Sequence, residues 1–174
     1  MATVDTQPTN VNFLSPLGFK LQIKKLPTVE YFVQSVTVPS VSLGQADVDT
    51  PFTKIPLPGT RLTYGNLAVE FKVDEDLKNY LEIYNWLRGI GFPDNFAEYS
   101  NMARLGYTTG EGVYSDISLT VLSSAMNPTN IFKCIDCFPI DISSLSFDST
   151  SADVEHITAT ATFAIRRFDV EPII

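Results

Sequence analysis

The sequence between residues 66 and 91, NLAVEFKVDEDLKNYLEIYNWLRGIG, joins a strand pattern to a helix pattern. Apolar side chains alternate with others over residues 67–73, which is typical of a strand with one buried face. After the acidic break at residues 74–76, apolar residues recur every three or four positions, which predicts an amphipathic helix that stops at Gly89 and Gly91. The predicted core face of this helix consists of Leu77, Tyr80, Leu81, Tyr84 and Leu87.

Strand patterns separated by turn residues dominate the rest of the sequence. Residues 17–23 alternate apolar and polar side chains, and together with residues 31–38 they predict an N-terminal hairpin. Residues 92–112 have no clear period, which indicates irregular structure. In a last strand over residues 154–168, apolar residues face one way and a row of threonines faces the other. We therefore expect a mostly β protein, an antiparallel β-sandwich or half-barrel with one flanking α-helix.

One domain accounts for the chain, because 174 residues can enclose one sizeable core but hardly two. Residues 1–12 are polar and include Pro8, which predicts a flexible N-terminal arm. Residues 13–174 form the predicted domain, from which a second arm protrudes at about residues 41–64.

The protruding arm is predicted from its prolines. Pro51, Pro56 and Pro58 each fix a backbone angle, so the segment is stiffer than other loops of this length. Pro58 and Gly59 form a strong turn signal that would bring the chain back. The alternative is a long surface loop packed on its own domain. If the arm protrudes, a partner must cover its surface, which consists of Val41, Leu43, Phe52, Ile55, Leu57, Pro58, Gly59 and Leu62.

Composition and charge exclude several classes of protein. With 44% hydrophobic residues the chain is globular, yet no apolar run is long enough to cross a membrane. The N-terminus lacks the basic and then apolar order of a signal peptide. Twenty acidic residues against twelve basic ones give a net charge of −8, which argues against a protein that binds nucleic acid through its phosphates.

Cys134 and Cys137 form a C-x-x-C motif, which elsewhere can be a redox dithiol or half of a zinc site. Here the segment is predicted to be a strand, and positions i and i+3 of a strand point to opposite faces. The two sulfurs are therefore expected to diverge, with neither a mutual disulfide nor a bound metal.

The sequence contains no catalytic constellation. The lone His156 has no nucleophile motif beside it, and Asp74, Glu75 and Asp76 suit helix capping better than acid–base chemistry. We therefore expect no enzyme activity, no catalytic or cofactor-binding residues and no metal site.

The order of these elements resembles the tail tube proteins of contractile-tailed bacteriophages. The resemblance is carried by residues 19–23 (FKLQI), residues 36–39 (VTVP) and the arm with Pro58 and Gly59. It continues in residues 67–76 (LAVEFKVDED) and in the helix over residues 80–87 (YLEIYNWL). It covers residues 13–168, and its specificity lies in the order of the motifs.

The resemblance implies a protomer that completes a β-barrel in a ring oligomer. In that family, and in the related type VI secretion tube proteins, six protomers close a ring and the rings stack into a hollow tube. The phage tube lies inside a contractile sheath, and DNA passes through it without specific binding. The implied partners are further copies of the chain, the sheath protein, and baseplate and terminator proteins, with no membrane. The implied location is the virion tail, assembled in the host cytoplasm.

Three alternatives remain open at this point. The chain could be a tube initiator in the baseplate or a tube terminator, each of which shares the protomer fold but forms a single ring. It could also be a monomeric β-sandwich binding module. The single-domain length favours the repeated tube subunit, in which the arm at residues 41–64 couples stacked rings.

Overall fold

The computed structural model describes residues 12–91, 93–109, 112–148, 150 and 156–173. Residues 1–11 of the predicted N-terminal arm therefore lie outside the described part of the chain. The elements, in order, are β1 (Phe19–Ile23), α1 (Pro27–Tyr31), β2 (Val33–Thr37), β3 (Val41–Asp49), β4 (Lys54–Tyr64), β5 (Leu67–Lys72), α2 (Lys78–Gly91), α3 (Phe96–Thr109), β6 (Ser115–Leu122), β7 (Pro128–Ile142), β8 (Thr158–Ala164) and β9 (Arg167–Pro172).

Two antiparallel sheets share the long strand β7. The first sheet has the order β1-β6-β7-β9, and residues 130–135 of β7 pair with β9. The second has the order β2-β5-β8-β7, and residues 138–142 of β7 pair with β8. The prediction of a mostly β, antiparallel fold is confirmed.

The core lies between the inner faces of the two sheets and is closed by α2. On β5 the alternation predicted from sequence buries Leu67, Val69 and Phe71. Helix α2 adds Ile83 and Trp86, whose indole ring lies 6.0 Å from the ring of Phe163 on β8. The apolar positions of three neighbouring elements thus meet in one cluster, which burial from water stabilises.

Helix α2 presents a different face to the core from the one predicted. The side chains of Leu81 and Tyr84 are each 45% exposed, so their assignment to the core was wrong. Leu77 lies before the helix and is only partly buried, whereas Tyr80 and Leu87 are half-buried against the core. The buried face consists of Asn79, Ile83, Trp86 and Gly89.

The apolar period does not identify this face, because the face includes the polar residue Asn79. Its amide is fully buried and fully engaged: Nδ2 donates to the carbonyl of Lys72 at 2.8 Å. Its Oδ1 accepts from the N–H groups of Asp74 at 3.2 Å and Tyr80 at 2.8 Å. These bonds fix the end of β5 to the first turn of α2, across a connection in which Leu77 adopts a positive φ of 58°.

The predicted N-terminal hairpin was wrong. Strand β1 pairs with β6, and β2 pairs with β5, so the two strands belong to different sheets. Between them α1 forms a helical turn that begins with Pro27, a residue well suited to the first turn of a helix, and buries Val29. This turn carries the chain from one sheet to the other.

The prediction of a single flanking helix was also wrong, since α3 occupies most of the segment expected to be irregular. The Oδ1 of Asn95 accepts from the N–H of Ala97 at 2.9 Å at the start of α3. Helix α3 packs closely on α2. The terminal methyl of Met102 lies so near Gly89 that a Cβ at this position would overlap it. The predicted last strand is likewise two strands, β8 and β9.

The rotated helix face leads to a direct stability prediction. Truncation of the fully buried Ile83 to Ala is expected to lower the free energy of unfolding by about 2–5 kcal/mol, because a cavity remains. The half-exposed Leu81→Ala is the matched control and is expected to cost much less. Urea unfolding of both variants would measure this, and equal losses would contradict the assignment of the buried face.

A second prediction concerns the amide of Asn79. The change Asn79→Ala removes three hydrogen bonds and leaves the Lys72 carbonyl and Asp74 N–H without that partner. The free energy of unfolding is expected to fall by about 1–3 kcal/mol for each group left buried and unpaired. Asn85→Ala on the exposed face of the same helix is the control. If thermal unfolding showed the same midpoint for both variants, the amide would not hold the strand–helix connection.

Candidate assembly surfaces

Strands β3 and β4 form a hairpin that pairs with neither sheet in the described part of the chain. Every residue of β3 is exposed, and so are nearly all residues of β4. The hairpin is therefore largely exposed to solvent in the protomer. At the tip, the N–H of Thr50 donates to the carbonyl of Thr53 at 3.1 Å, and Phe52 beside it is 98% exposed.

The tip of the hairpin does not lie where Pro58 and Gly59 predicted it. Both residues lie inside β4, opposite an irregularity in the pairing between Leu43 and Gln45. A Cβ at Gly59 would overlap the carbonyl of Gly44, so the close strand contact requires glycine. The prolines are tolerated because β4 has an unpaired edge, where a missing N–H breaks no ladder bond.

The apolar residues of the hairpin form two patches on opposite faces. Cross-strand partners share a face, and successive residues alternate between faces. Near the domain, the base patch consists of Val41, Leu43, Leu62 and Tyr64. Beyond the irregularity, the tip patch lies on the other face and consists of Ala46, Val48, Ile55 and Leu57.

The two patches differ in what covers them. In the base patch, the ring of Tyr64 packs edge-to-face against Phe168 of β9 at 5.6 Å, so this patch adjoins its own domain. In the tip patch, Val48, Ile55 and Leu57 are 45–47% exposed. Val41, Leu43 and Leu62 of the base patch are 49–54% exposed, so both patches leave apolar surface in water, and the tip patch is the one farther along the hairpin from the domain.

Each sheet ends in a strand edge that is unpaired in the described part of the chain. On one side of the sandwich lie β1 and β2, with a groove of about 560 Å³ between them. The groove is bordered by Leu17 and Tyr31, which are both highly exposed. At the other end of the two sheets lie β9 and the second half of β7. Unpaired strands can recruit strands from another chain, so these edges are candidate interfaces.

The outer face of the second sheet is lined by small and polar side chains. Thr158, Thr160 and Thr162 of β8 alternate with the buried Ala159, Ala161 and Phe163, as the sequence predicted. They stand opposite Lys72, Glu70 and Ala68 of β5, and Ser35 of β2 donates to Glu70 at 2.9 Å.

The thiols are arranged differently from the prediction, since Cys134 and Cys137 are both buried on the core side of β7. A bulge at Asp136, where φ is 54°, breaks the strand alternation that would have separated them. Among the described residues no three His, Cys, Asp or Glu side chains are grouped as metal ligands. No described helix is long and apolar enough to span a bilayer.

Comparison with known proteins matches the chain to one family. The family model for the phage tail tube protein matches residues 4–171. The tail tube terminator protein of Enterobacteria phage T4 is 30% identical over an alignment of 144 residues, and the match covers 79% of this chain and 76% of that protein.

Solved structures share the fold at low sequence identity. The tube terminating cap of the anti-feeding prophage is 15% identical with a TM-score of 0.68, over 99% of this chain and 100% of that chain. A chain of the sheath–tube complex of the PVC extracellular contractile injection system is 17% identical with a TM-score of 0.62, over 94% and 95% of the two chains.

Proposed function

Because this chain belongs to the phage tail tube protein family, we propose that it is a structural, ring-forming subunit of the tube of a contractile tail. The observation that carries the proposal is the hairpin β3–β4, which exposes an apolar tip patch outside both sheets. A monomer gains nothing from holding such a patch in water, whereas an assembly covers it. The subunit has no catalytic role in this proposal.

Ring closure uses the unpaired edges of the two sheets. The edges β1 and β2 of one copy meet the edges β9 and β7 of the next, which is a head-to-tail interface. A head-to-tail interface makes a closed ring when the rotations between successive copies add up to one full turn. In this proposal six copies complete the turn. Closure pairs edges that would otherwise invite aggregation and covers the groove beside Leu17 and Tyr31.

The threonine-lined face of the second sheet is the surface that faces the lumen. Hydroxyls and small side chains offer DNA no apolar or strongly basic site, and the acidic net charge of −8 disfavours electrostatic capture. DNA can then pass without specific binding. The outer surface of the ring remains for the sheath protein, in a tail assembled in the host cytoplasm.

The hairpin joins the ring to its neighbour in the tube. Its tip patch, built on Val48, Ile55 and Leu57, packs on the adjacent ring, while Tyr64 of the base patch remains on Phe168 of its own domain. In this arrangement the irregularity at Gly44 and Gly59 lies between the base patch near the domain and the tip patch that contacts the partner.

A second position in the same tail is favoured by one observation. The relative with 30% identity is a tail tube terminator, which suggests a single ring at an end of the tube in place of the repeated subunit. The ring interface would be the same in both cases. Only the number of stacked rings would differ, and baseplate or terminator proteins would be the partners at the ends of the tube.

Electron microscopy of the purified protein separates these positions. We expect closed rings, because the edge interface is common to both. Long stacked tubes would identify the repeated subunit, and single rings that do not extend would identify the terminator. Monodisperse small particles at high protein concentration would contradict the ring-forming function and favour a monomeric binding module.

The role of the tip patch is tested by charged substitutions. The double variant Ile55→Lys and Leu57→Lys is expected to keep the thermal midpoint of the protomer, because both side chains already lie in water. Ile55 and Leu57 are about half exposed and lie outside the core cluster, so the charges should act mainly on contacts with other copies, and the variant is expected to form rings that no longer associate with one another or with a tube end. Sedimentation and electron microscopy would measure both properties.

The matched control is Gln45→Lys, an exposed residue on the opposite face of the same hairpin. It adds a positive charge without touching the tip patch, so ring association should survive. If the double variant stacked like the wild type, the hairpin would not couple rings.

A further inference from the structure

Strand β7 changes from one sheet to the other next to its two cysteines. Cys134 stands opposite Ile117 of β6, and Cys137 stands opposite Ser115. Between these pairs β6 advances by two residues but β7 by three. The extra residue is absorbed at Asp136, whose side chain is paired with Arg166 at 2.9 Å and whose N–H donates to Asp116 at 3.3 Å.

The bulge brings the two cysteines to one face at a short separation. Ser115 and Ile117 are two residues apart on a strand, which corresponds to about 6.6 Å at about 3.3 Å per residue. The cysteines opposite them have a comparable Cα separation, within the range of about 4.4–6.8 Å that disulfides use. Both side chains turn into the core, with 3% and 0% exposure.

We propose that Cys134 and Cys137 are an oxidisable dithiol that a peroxide closes to an intramolecular disulfide. The thiolate of Cys134 attacks a peroxide oxygen, which breaks the O–O bond and gives a sulfenic acid and, after protonation, water. The sulfur of Cys137 then attacks the Cys134 sulfur and displaces a second water. Two thiols and one hydrogen peroxide thus become one disulfide and two waters.

The electrostatics of the pair support these two roles. The hydrogen bond from Cys137 lowers the pKa of the Cys134 thiol, which favours Cys134 as the attacking thiolate. The same interaction, and then burial, raise the pKa of Cys137, which favours the protonated thiol there. Ser115, opposite Cys137, adds a buried hydroxyl without a hydrogen-bond partner to this otherwise apolar site.

The disulfide would fix the bulge that sets how the two sheets meet. On its N-terminal side β7 pairs with β9 as far as Ile135, and on its C-terminal side it pairs with β8 from Phe138. A bond between residues 134 and 137 spans this crossing. For a tail assembled in a reducing cytoplasm and then released, closure would follow assembly; this consequence alone rests on the proposed function.

The test uses the reduced full-length protein, folded, with and without excess hydrogen peroxide. Intact mass is expected to fall by about 2 Da, the loss of two hydrogens, and no thiol should react with maleimide after denaturation. Dithiothreitol should restore both mass and thiols. Cys134→Ala and Cys137→Ala should each lack the species that is lighter by two hydrogens.

Several results would overturn the proposal. These are an unchanged mass, oxygen additions without the lighter species, covalent dimers on non-reducing gels, or closure only in denatured protein. Tube assembly plays no part in this measurement. A failure of the dithiol proposal would therefore leave the proposed function standing, and a failure of the proposed function would leave the dithiol proposal standing.

Discussion

The fully buried amide of Asn79 is the interaction on which the rest of the structure depends. It holds the carbonyl of Lys72 and the N–H of Asp74 at the end of β5 while capping the first turn of α2 through Tyr80. A buried amide is costly unless its groups are paired, and this one is. Its bonds set the rotation of α2, and that rotation directs Ile83 and Trp86 into the core.

The two sheets that pack around this helix also carry the surfaces that we propose for assembly. Helix α2 packs on the core between two sheets that share β7, and in the described part of the chain each sheet has an unpaired edge. A small monomer usually protects such edges, whereas a ring pairs them. The hairpin likewise holds apolar side chains away from the core that could bury them. The protomer thus has its own buried core and, in the described part of the chain, strand edges and an apolar hairpin surface that we propose other copies cover.

The sequence predicted those features that depend on a local period. Alternation along β5 and β8 identified their buried faces, and the prolines and apolar residues of residues 41–64 identified an exposed arm. The features it missed depend on bonds between distant residues. The polar Asn79 is buried only because its amide forms hydrogen bonds with the backbone of Lys72 and Asp74. The bulge at Asp136 follows from pairing with β6, and no strand period reveals it. Pro58 and Gly59 resemble a turn, and only pairing with β3 places them inside a strand.

The central claim is that sheet edges and hairpin are the surfaces completed by other copies, and hydrogen–deuterium exchange tests it most directly. Amide exchange would be compared between dilute protomers and assembled rings or tubes. The account predicts that slower exchange on assembly is concentrated in the edge strands β1, β2 and β9, the second half of β7 and the hairpin over residues 41–64, with the core strand β5 unchanged. Slower exchange confined to the exposed face of α2, with the hairpin and both edges exchanging as in the protomer, would contradict it.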